Sequence, residues 1–250
     1  MRQILVCLLL CLATHAGAET VRIAIGEWPP YHDSQAPHAG LASHAIQQAF
    51  ANQGINVEFS FFPWNRAYKI AASGEFDATA VWYDSEERRQ LFHMSDPVMM
   101  AQTVFFHRSD REFDWQEYSD LKGMRIGVAQ YALTGDGYGK DFSRIHEQGV
   151  ATLHAAHDDR MLFTMLLHDR IDLFPIDRIA GMGLLEEFSA EQRAQITYHP
   201  KPIRQDGGLL LMSKKKSDGP DLVRRFNQGL KQLRAAGGLI ELGLPPEDSM

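Results

Sequence analysis

Apolar and polar positions along this chain repeat with two different periods, and the order in which the periods change predicts an α/β fold. "VRIAIG" (Val21–Gly26) reads as a strand, and "LASHAIQQAF" places Leu41, Ala45, Ala49 and Phe50 on one helical face. "INVEFSFF" alternates Ile55, Val57, Phe59 and Phe61, the pattern of a half-buried strand. "PWNRAYKIAASG" follows as a helix, with Pro63 at its first position and Gly74 at its stop. "FDATAVWYDSEERRQLFHMSDP" then begins as a buried strand and hangs Trp82 and Tyr83 where that strand should end. It passes through a charged segment with Arg88 and Arg89 and closes on a Ser-Asp-Pro turn. This β-α-β-α-β order implies a mostly parallel sheet with helices packed on it.

After "AQTVFFHR" (Ala101–Arg108) the pattern restarts. A strand is predicted at Met124–Gln130, then a Gly-rich turn, a helix near Tyr138–Gln148 and a short strand in "ATLHA". "DDRMLFTMLLHD" is helical, with Met161, Met165 and Leu166 on one side; "RIDLFPI" is a strand, and a helix runs through Arg178–Phe188. "QITYHPKPI" and "GGLLLMS" read as strands, and a last helix sets Leu222, Phe226, Leu230 and Leu233 on one stripe before Gly237 and Gly238. Two segments echo each other: "SGEFDATAVWYD" and "HDRIDLFPID" both carry a helix end, an Asp, a strand and a second Asp. The echo suggests two similar lobes. Ligands of open α/β sheets sit outside the carboxyl ends of strands, which places Trp82, Tyr83 and Asp177 where a ligand would be held.

The N-terminus adds a destination. Arg2, the apolar run Ile4–Leu12 and the small residues Ala16-Gly17-Ala18 form an export signal, with cleavage expected between Ala18 and Glu19. The run falls short of the roughly 20 apolar residues a membrane span needs. Both cysteines, Cys7 and Cys11, lie inside this signal, and the residues before them, Val6 and Leu10, argue against a lipid anchor. The mature chain of residues 19–250 therefore has no disulfide, no thiol chemistry and no cysteine metal site. Its stability must come from a core, and the length suffices for two modest lobes. Loss of Arg2 takes the formal net charge from −7 to −8, and Lys214-Lys215-Lys216 is the one basic block. Nucleic acid and anionic membrane are not expected partners.

Several groups have two readings from the residues alone. Arg88 is either a solvated helix charge beside Glu86, Glu87 and Arg89, or a planar guanidinium that receives an anion through two charge-assisted bonds. Asp177 is a helix N-cap, a ligand contact, or both. Trp28, Tyr31, Trp64, Trp82 and Tyr83 are core residues or the apolar wall of a site. "GDGYGK" lacks a Gly five residues before Gly139 and has Asp141 in place of Ser or Thr, so no phosphate loop and no cofactor are expected. His32, His38, His44, His154 and His157 have no tight ligand spacing, and no metal is expected.

The order "GEWPPY", "PWNRAYKIAASGEFDA", "SEERRQLFHMSDP", "LKGMRIGV", "RIDLFPID" and "FNQGLKQLRAAGG" resembles bacterial periplasmic solute-binding proteins of the polar amino acid type, family 3. The likeness covers nearly the whole mature chain. It implies a two-lobed periplasmic-binding-protein (type II) fold, each lobe a mixed sheet flanked by helices. Lobe 1 would be residues 19–101 plus 203–250 and lobe 2 residues 102–202, hinged near Val98–Thr103 and Pro200–Arg204. It further implies that Arg88 receives a ligand carboxylate, that Asp177, five residues after Asp172, receives an ammonium, and that Trp64 stacks on the ligand. Glu27, Trp28 and Tyr31 of "GEWPPY" match a cleft loop.

The chain departs from the family at two places. Ala80, Val81, Trp82 and Tyr83 stand where small hydroxyl residues usually precede the charged turn. The second-lobe loop usually reads Gly-Thr-Thr or similar, and in "QYALTGDGYG" only Thr134 offers a small hydroxyl of that kind, out of register. The reading is a monomeric periplasmic receptor for a small polar solute, an amino acid or related carboxylate, serving an ABC permease in the inner membrane. The ligand expected has a carboxylate and a flat or apolar body. Two alternatives use the same fold: a periplasmic dehydratase or lyase with Glu27, Asp84 and Asp177 as acid–base groups, and a sensor that reports to a membrane partner.

Overall fold

A computed structural model describes residues 19–130, 142, 145 and 147–244. Residues 1–18, expected to be an export signal, Thr134 and most of the helix expected near Tyr138–Gln148 lie outside the described residues. The first unit follows the sequence pattern: β1 (Thr20–Ile25), α1 (Leu41–Ala51), β2 (Asn56–Phe61), α2 (Trp64–Ala72) and β3 (Ala78–Trp82). β1 pairs in parallel with both β2 and β3. α1 buries Ala45, Ile46, Ala49 and Phe50, with Leu41 half-buried at the margin. Pro63 stands one residue before α2, at its N-cap, and Gly74 leaves the helix with a left-handed φ of 83°.

The largest difference from the sequence reading follows α3 (Glu86–Leu91). Ser95-Asp96-Pro97 is not a turn but lies inside β4 (Phe92–Arg108), a strand of 17 residues. β4 pairs antiparallel with β9 (Arg204–Ser213), and the register slips between Met94 and Pro97 and again between Pro97 and Met99. Pro97 has no N–H to give the ladder, and a bulge absorbs that loss. Two neighbours accommodate it. A Cβ on Gly207 would come within 2.9 Å of the Pro97 ring, and the Leu210 N–H is satisfied by Ser95 Oγ at 2.9 Å.

β4 and β9 carry the chain between two units. At one end β9 pairs antiparallel with β3; at the other β4 pairs antiparallel with β7 (Leu173–Asp177). β5 (Arg125–Ala129) lies parallel to β7 and to β6 (Thr152–Ala156), and the strand order is β2-β1-β3-β9-β4-β7-β5-β6. Of "QITYHPKPI", β8 (Ile196–Tyr198) pairs with β4 as a strand; beyond it the His199 and Ile203 N–H groups still donate to the Phe105 and Thr103 carbonyls, while Pro200 and Pro202, which have no N–H, interrupt the ladder. There are two main cores. One draws on both ends of the described chain, including Ile23, Phe50, Leu210 and Phe226; the other lies between them in sequence, including Phe105, Ile126, Phe163 and Phe174.

The helices of the second half are α4 (Asp159–Leu167), α5 (Arg178–Leu185), α6 (Ala190–Arg193), α7 (Gly219–Ala235) and α8 (Gly238–Glu241). α4 turns a different face inward than expected: Leu162, Phe163 and Leu166 are buried, and Met161 is exposed. Asp158 sets this phase by capping the Met161 N–H at 2.8 Å. The stripe of α7 is buried as expected and packs on α1 through Phe50 and Phe226, whose rings lie 4.9 Å apart. Gly229 sits at that crossing, where a Cβ would come within 1.9 Å of the Ala49 carbonyl oxygen. Gly229→Ala therefore pits a gain of about 1 kcal/mol in helix propensity against an overpacking cost of about 1–3 kcal/mol. The clash is with backbone, which has no rotamer to escape into, so a lower urea midpoint is expected; an unchanged or higher midpoint would show that the helices slide apart without penalty.

Candidate functional site

The site is built at the end of β3. Ala78, Thr79 and Ala80 pair in register with Met212, Leu211 and Leu210, and the register then slips so that Trp82 faces Leu209. Val81 is the extra residue, held at φ 59°, a left-handed conformation that a β-branched side chain adopts only under strain. Gly208 opposite makes the room: a Cβ there would come within 2.9 Å of Val81 Cγ1. In a regular strand successive side chains point to opposite faces. The bulge re-aims them, and Val81, Trp82 and Tyr83 all line one cavity of about 1020 Å³.

Trp82 and Trp64 meet edge to face, with ring centres 5.2 Å apart. The Trp82 Nε1–H donates to Thr79 Oγ1 at 2.9 Å, and the Trp64 Nε1–H donates to the Glu27 carbonyl at 3.1 Å. Trp64 lies flat over Gly26, where a Cβ would come within 2.4 Å of the indole. Trp28, also on the cavity wall, leans on Tyr31 at 4.8 Å. Across the cavity stand Ile176 at the end of β7, then Ala180, Gly183 and Leu184 of α5, then Glu187, with Asp159 at the start of α4.

Arg88 and Arg89 are adjacent and differ sharply. Ser85 caps α3 by accepting the Arg88 N–H at 3.3 Å, and Glu86 and Glu87 occupy the first turn, where negative charge is favourable. The Arg89 guanidinium turns out to solvent and forks onto Asp84, with Nε to Oδ1 at 2.9 Å. The Arg88 guanidinium turns in, lies 5.0 Å over the Trp82 ring and donates through Nη1 to the Tyr83 carbonyl at 2.6 Å. Among the described residues no carboxylate pairs with Arg88, which lines the cavity. Arg204 reaches the same wall, 5.0 Å over the Tyr83 ring, but is paired with Asp206.

The profile of "Bacterial extracellular solute-binding proteins, family 3" matches residues 21–243. The chain belongs to that family. It is a family of extracellular binding proteins, and this solute-binding protein shares its two-lobed fold with solved structures. The L-cystine solute receptor of Neisseria gonorrhoeae, unliganded and open, aligns over 91% of this chain and 92% of its own, at 20% identity and a TM-score of 0.70. Substrate-binding domain 2 of Lactococcus lactis GlnP, also open, aligns over 90% and 93% at 20% identity and a TM-score of 0.67. The amino acid ABC transporter substrate-binding protein AbpA of Streptococcus pneumoniae, bound to L-arginine, aligns over 89% and 92% at 16% identity and a TM-score of 0.63. These likenesses establish the periplasmic-binding-protein fold. A search of curated protein sequences returned no match.

Of the site residues expected from the sequence of this solute-binding protein, the structure brings Glu27, Trp28, Trp64, Trp82, Tyr83 and Arg88 to the cavity wall. Thr134 lies outside the described residues. Tyr31 and Asp177 are elsewhere: both are buried behind the wall and bonded to each other, Tyr31 Oη–H donating to Asp177 Oδ1 at 2.8 Å. Asp177 is the N-cap of α5, accepting the Ala180 N–H at 2.9 Å, and its second oxygen accepts the Gln102 N–H at 3.0 Å. Burial holds its carboxyl above the usual range against these bonds, and burial raises the Tyr31 and Tyr83 hydroxyls as well. The sequence reading missed Arg204 as a wall residue and missed the whole α5 face. Ala180, Gly183, Leu184 and Glu187 have the i, i+3, i+4, i+7 spacing of one helical stripe, a signal that was present.

The aromatic wall makes its own prediction. Trp64→Ala is expected to weaken ligand binding by about 1 kcal/mol or more, the usual strength of lost aromatic stacking. Gly26→Ala should reproduce part of that loss by pushing the indole off its seat. Calorimetric titration of both variants checks this, and full affinity in Trp64→Ala would remove that ring from the site.

Proposed function

We propose that this chain is exported to the periplasm, binds a small polar solute bearing a carboxylate, an amino acid or related carboxylate, and delivers it to an ABC permease in the inner membrane. One observation carries the reading: Arg88 is presented to the cavity with no carboxylate partner among the described residues, between the Trp82 ring and the Tyr83 carbonyl. A planar, permanently charged fork held in place by two contacts suits a carboxylate. The mostly apolar remainder of the wall suits a flat or apolar ligand body. The lobes, residues 19–101 plus 203–250 and 102–202, close on the ligand by flexing where β4 and β9 cross between them. The arginine-bound transport protein of similar fold supports the amino acid class and the transport role.

A thermal-shift screen of the mature chain against amino acids, small carboxylates, amines and peptides tests the proposal. A ligand present at a hundred times its Kd stabilises the folded state by about 2.7 kcal/mol. Stabilisation is expected from carboxylates. If the compounds that stabilise the chain all lack an anionic group, the proposal fails. With a confirmed ligand, small-angle scattering should show a smaller radius at saturation; an unchanged radius would refute closure.

A further inference from the structure

We infer that Val81 and Gly208 are a positioning pair: their contact holds the bulge at the end of β3, and the bulge places the Arg88 guanidinium on the cavity wall. This rests on the reading of Arg88 as the receiver of the ligand's anion and adds what sets its place. Both contacts that hold the guanidinium come from the two residues after Val81. They are the Trp82 ring, 5.0 Å away, and the Tyr83 carbonyl, 2.6 Å from Nη1. Trp82 is fixed in turn by Thr79 Oγ1 at 2.9 Å and by the Trp64 ring at 5.2 Å. The conformation of Val81 therefore decides where Arg88 stands. Without the bulge, the register of Thr79 with Leu211 and Ala80 with Leu210 would continue with Val81 opposite Leu209 and Trp82 opposite Gly208. That slip of one residue turns Trp82 to the other face of the sheet, away from Trp64, and removes the support of Arg88.

Val81 does not favour its own conformation. A φ of 59° is one that a β-branched residue avoids, so the surroundings must impose it. The side chain is buried and stiff at χ1, so it cannot turn away from a neighbour that crowds it. That neighbour is Gly208. A Cβ there would come within 2.9 Å of Val81 Cγ1, 3.3 Å of Met99 Cγ and 3.6 Å of Val81 Cα. The backbone at Gly208 is not left-handed, so its conformation does not call for glycine; the space does. Gly207 supplies the comparison. A Cβ there would also come within 2.9 Å of a side chain, but that side chain is the Pro97 ring of β4. Two adjacent glycines thus relieve equal crowding on different partners, and of the two Gly208 bears on the site.

The test begins without a ligand, on the purified mature chain. Two signals follow the wall. One is the exciton couplet of the Trp64–Trp82 pair in circular dichroism, identified as the feature lost in Trp64→Phe. The other is the Arg88 Nε–H resonance, shifted by the Trp82 ring current and identified by its loss in Arg88→Lys. Gly208→Ala should weaken the couplet and move the resonance toward that of an exposed arginine. Adding Val81→Ala removes Cγ1, the crowded atom, and should restore both. Gly207→Ala should lower the urea midpoint as Gly208→Ala does and leave both signals in place. L-arginine, L-phenylalanine and 3-phenylpropionate are then titrated calorimetrically. Each that binds the native chain should bind Gly208→Ala about tenfold more weakly, the scale of one misplaced charge-assisted bond, and the double variant should recover most of that loss. If Gly208→Ala does not fold, a double variant that folds with both signals supports the inference. Native signals in Gly208→Ala, equal losses in Gly207→Ala, or a double variant no better than Gly208→Ala overturn it. Signals that move and recover while affinities stay native would leave the positioning pair standing and overturn the reading of Arg88 as the anion receiver.

Discussion

Arg88→Ala is expected to cost ten- to a hundredfold in affinity for the carboxylate ligand, and Arg89→Ala little. The difference follows from where each guanidinium spends its donors. Arg89 is exposed and paired with Asp84, and exposed pairs contribute about 0–1 kcal/mol. Arg88 faces the cavity, where the ligand's anion is its partner, and a hydrogen bond to a charged group contributes about 1.5–3 kcal/mol. Each factor of ten in Kd is about 1.4 kcal/mol, which gives the stated range. Arg88→Lys should fall between, because an ammonium keeps the charge and loses the fork. Titration calorimetry on the three variants decides it. Equal losses at both arginines would make the effect a general one of charge, and binding indifferent to Arg88→Ala would reduce this side chain to surface.

A second large effect concerns acid. His32 lies on the loop that carries Trp28, is completely buried, and has Nδ1 within 2.7 Å of Ser43 Oγ. Burial pulls its pKa from 6.5 down to about 3. The unfolded chain takes up this proton below about pH 6.5 while the folded chain does not, so the unfolded state binds more protons throughout the interval. The stability that neutral His32 contributes is therefore complete above pH 6.5 and is lost as the pH falls toward 3, by about 1.4 kcal/mol per pH unit. Over pH 6.5 to 4.5 that is about 2.7 kcal/mol, before most carboxylates titrate. His44, His93 and His107 shift in the same direction by less. Urea midpoints at pH 7.5, 5.5 and 4.5 should fall steeply for the native chain and less steeply for His32→Asn, which keeps the other histidines. Equal slopes would assign the acid sensitivity to those other groups.

The parts of this fold that were legible in the sequence are those where one face is buried and the period is clean. The alternation of Ile55, Val57, Phe59 and Phe61 and the stripe of Leu222, Phe226, Leu230 and Leu233 leave one choice of element and face. The parts that were not legible depend on contacts distant in sequence. Pro97 reads as a turn because its missing N–H usually ends a strand; only the pairing with β9 and the space at Gly207 show that β4 runs through it. The bulge at Val81 has no glycine of its own to mark it, and its accommodation lies at Gly208, more than a hundred residues away. The phase of α4 was misjudged because Met161 and Met165 are as apolar as the Leu162 and Phe163 that the cap at Asp158 turns inward.

At the site, the strand-end rule pointed to Trp82 and Tyr83, which stand on the cavity wall, and also to Asp177, which does not; Arg88 came from the family resemblance. Neither was enough for Tyr31 and Asp177. Both are polar residues at element ends, as ligand contacts are, and the bond between them is visible only when the loop after β1 is laid against the start of α5. The opposite wall was missed for a related reason: Ala180, Gly183 and Leu184 carry no chemistry that draws notice, and they line the cavity by position alone.

The central claim is that Arg88 receives the ligand's anion inside this cleft, and a crystal structure with the carboxylate that the screen identifies tests it most directly. The account requires the carboxylate within about 2.7–2.9 Å of the Arg88 guanidinium nitrogens. It also requires the ligand body to lie between the Trp64–Trp82 wall and the Ile176–Leu184 wall. A ligand bound in the cleft with its carboxylate away from Arg88, or bound outside the cleft altogether, would contradict it.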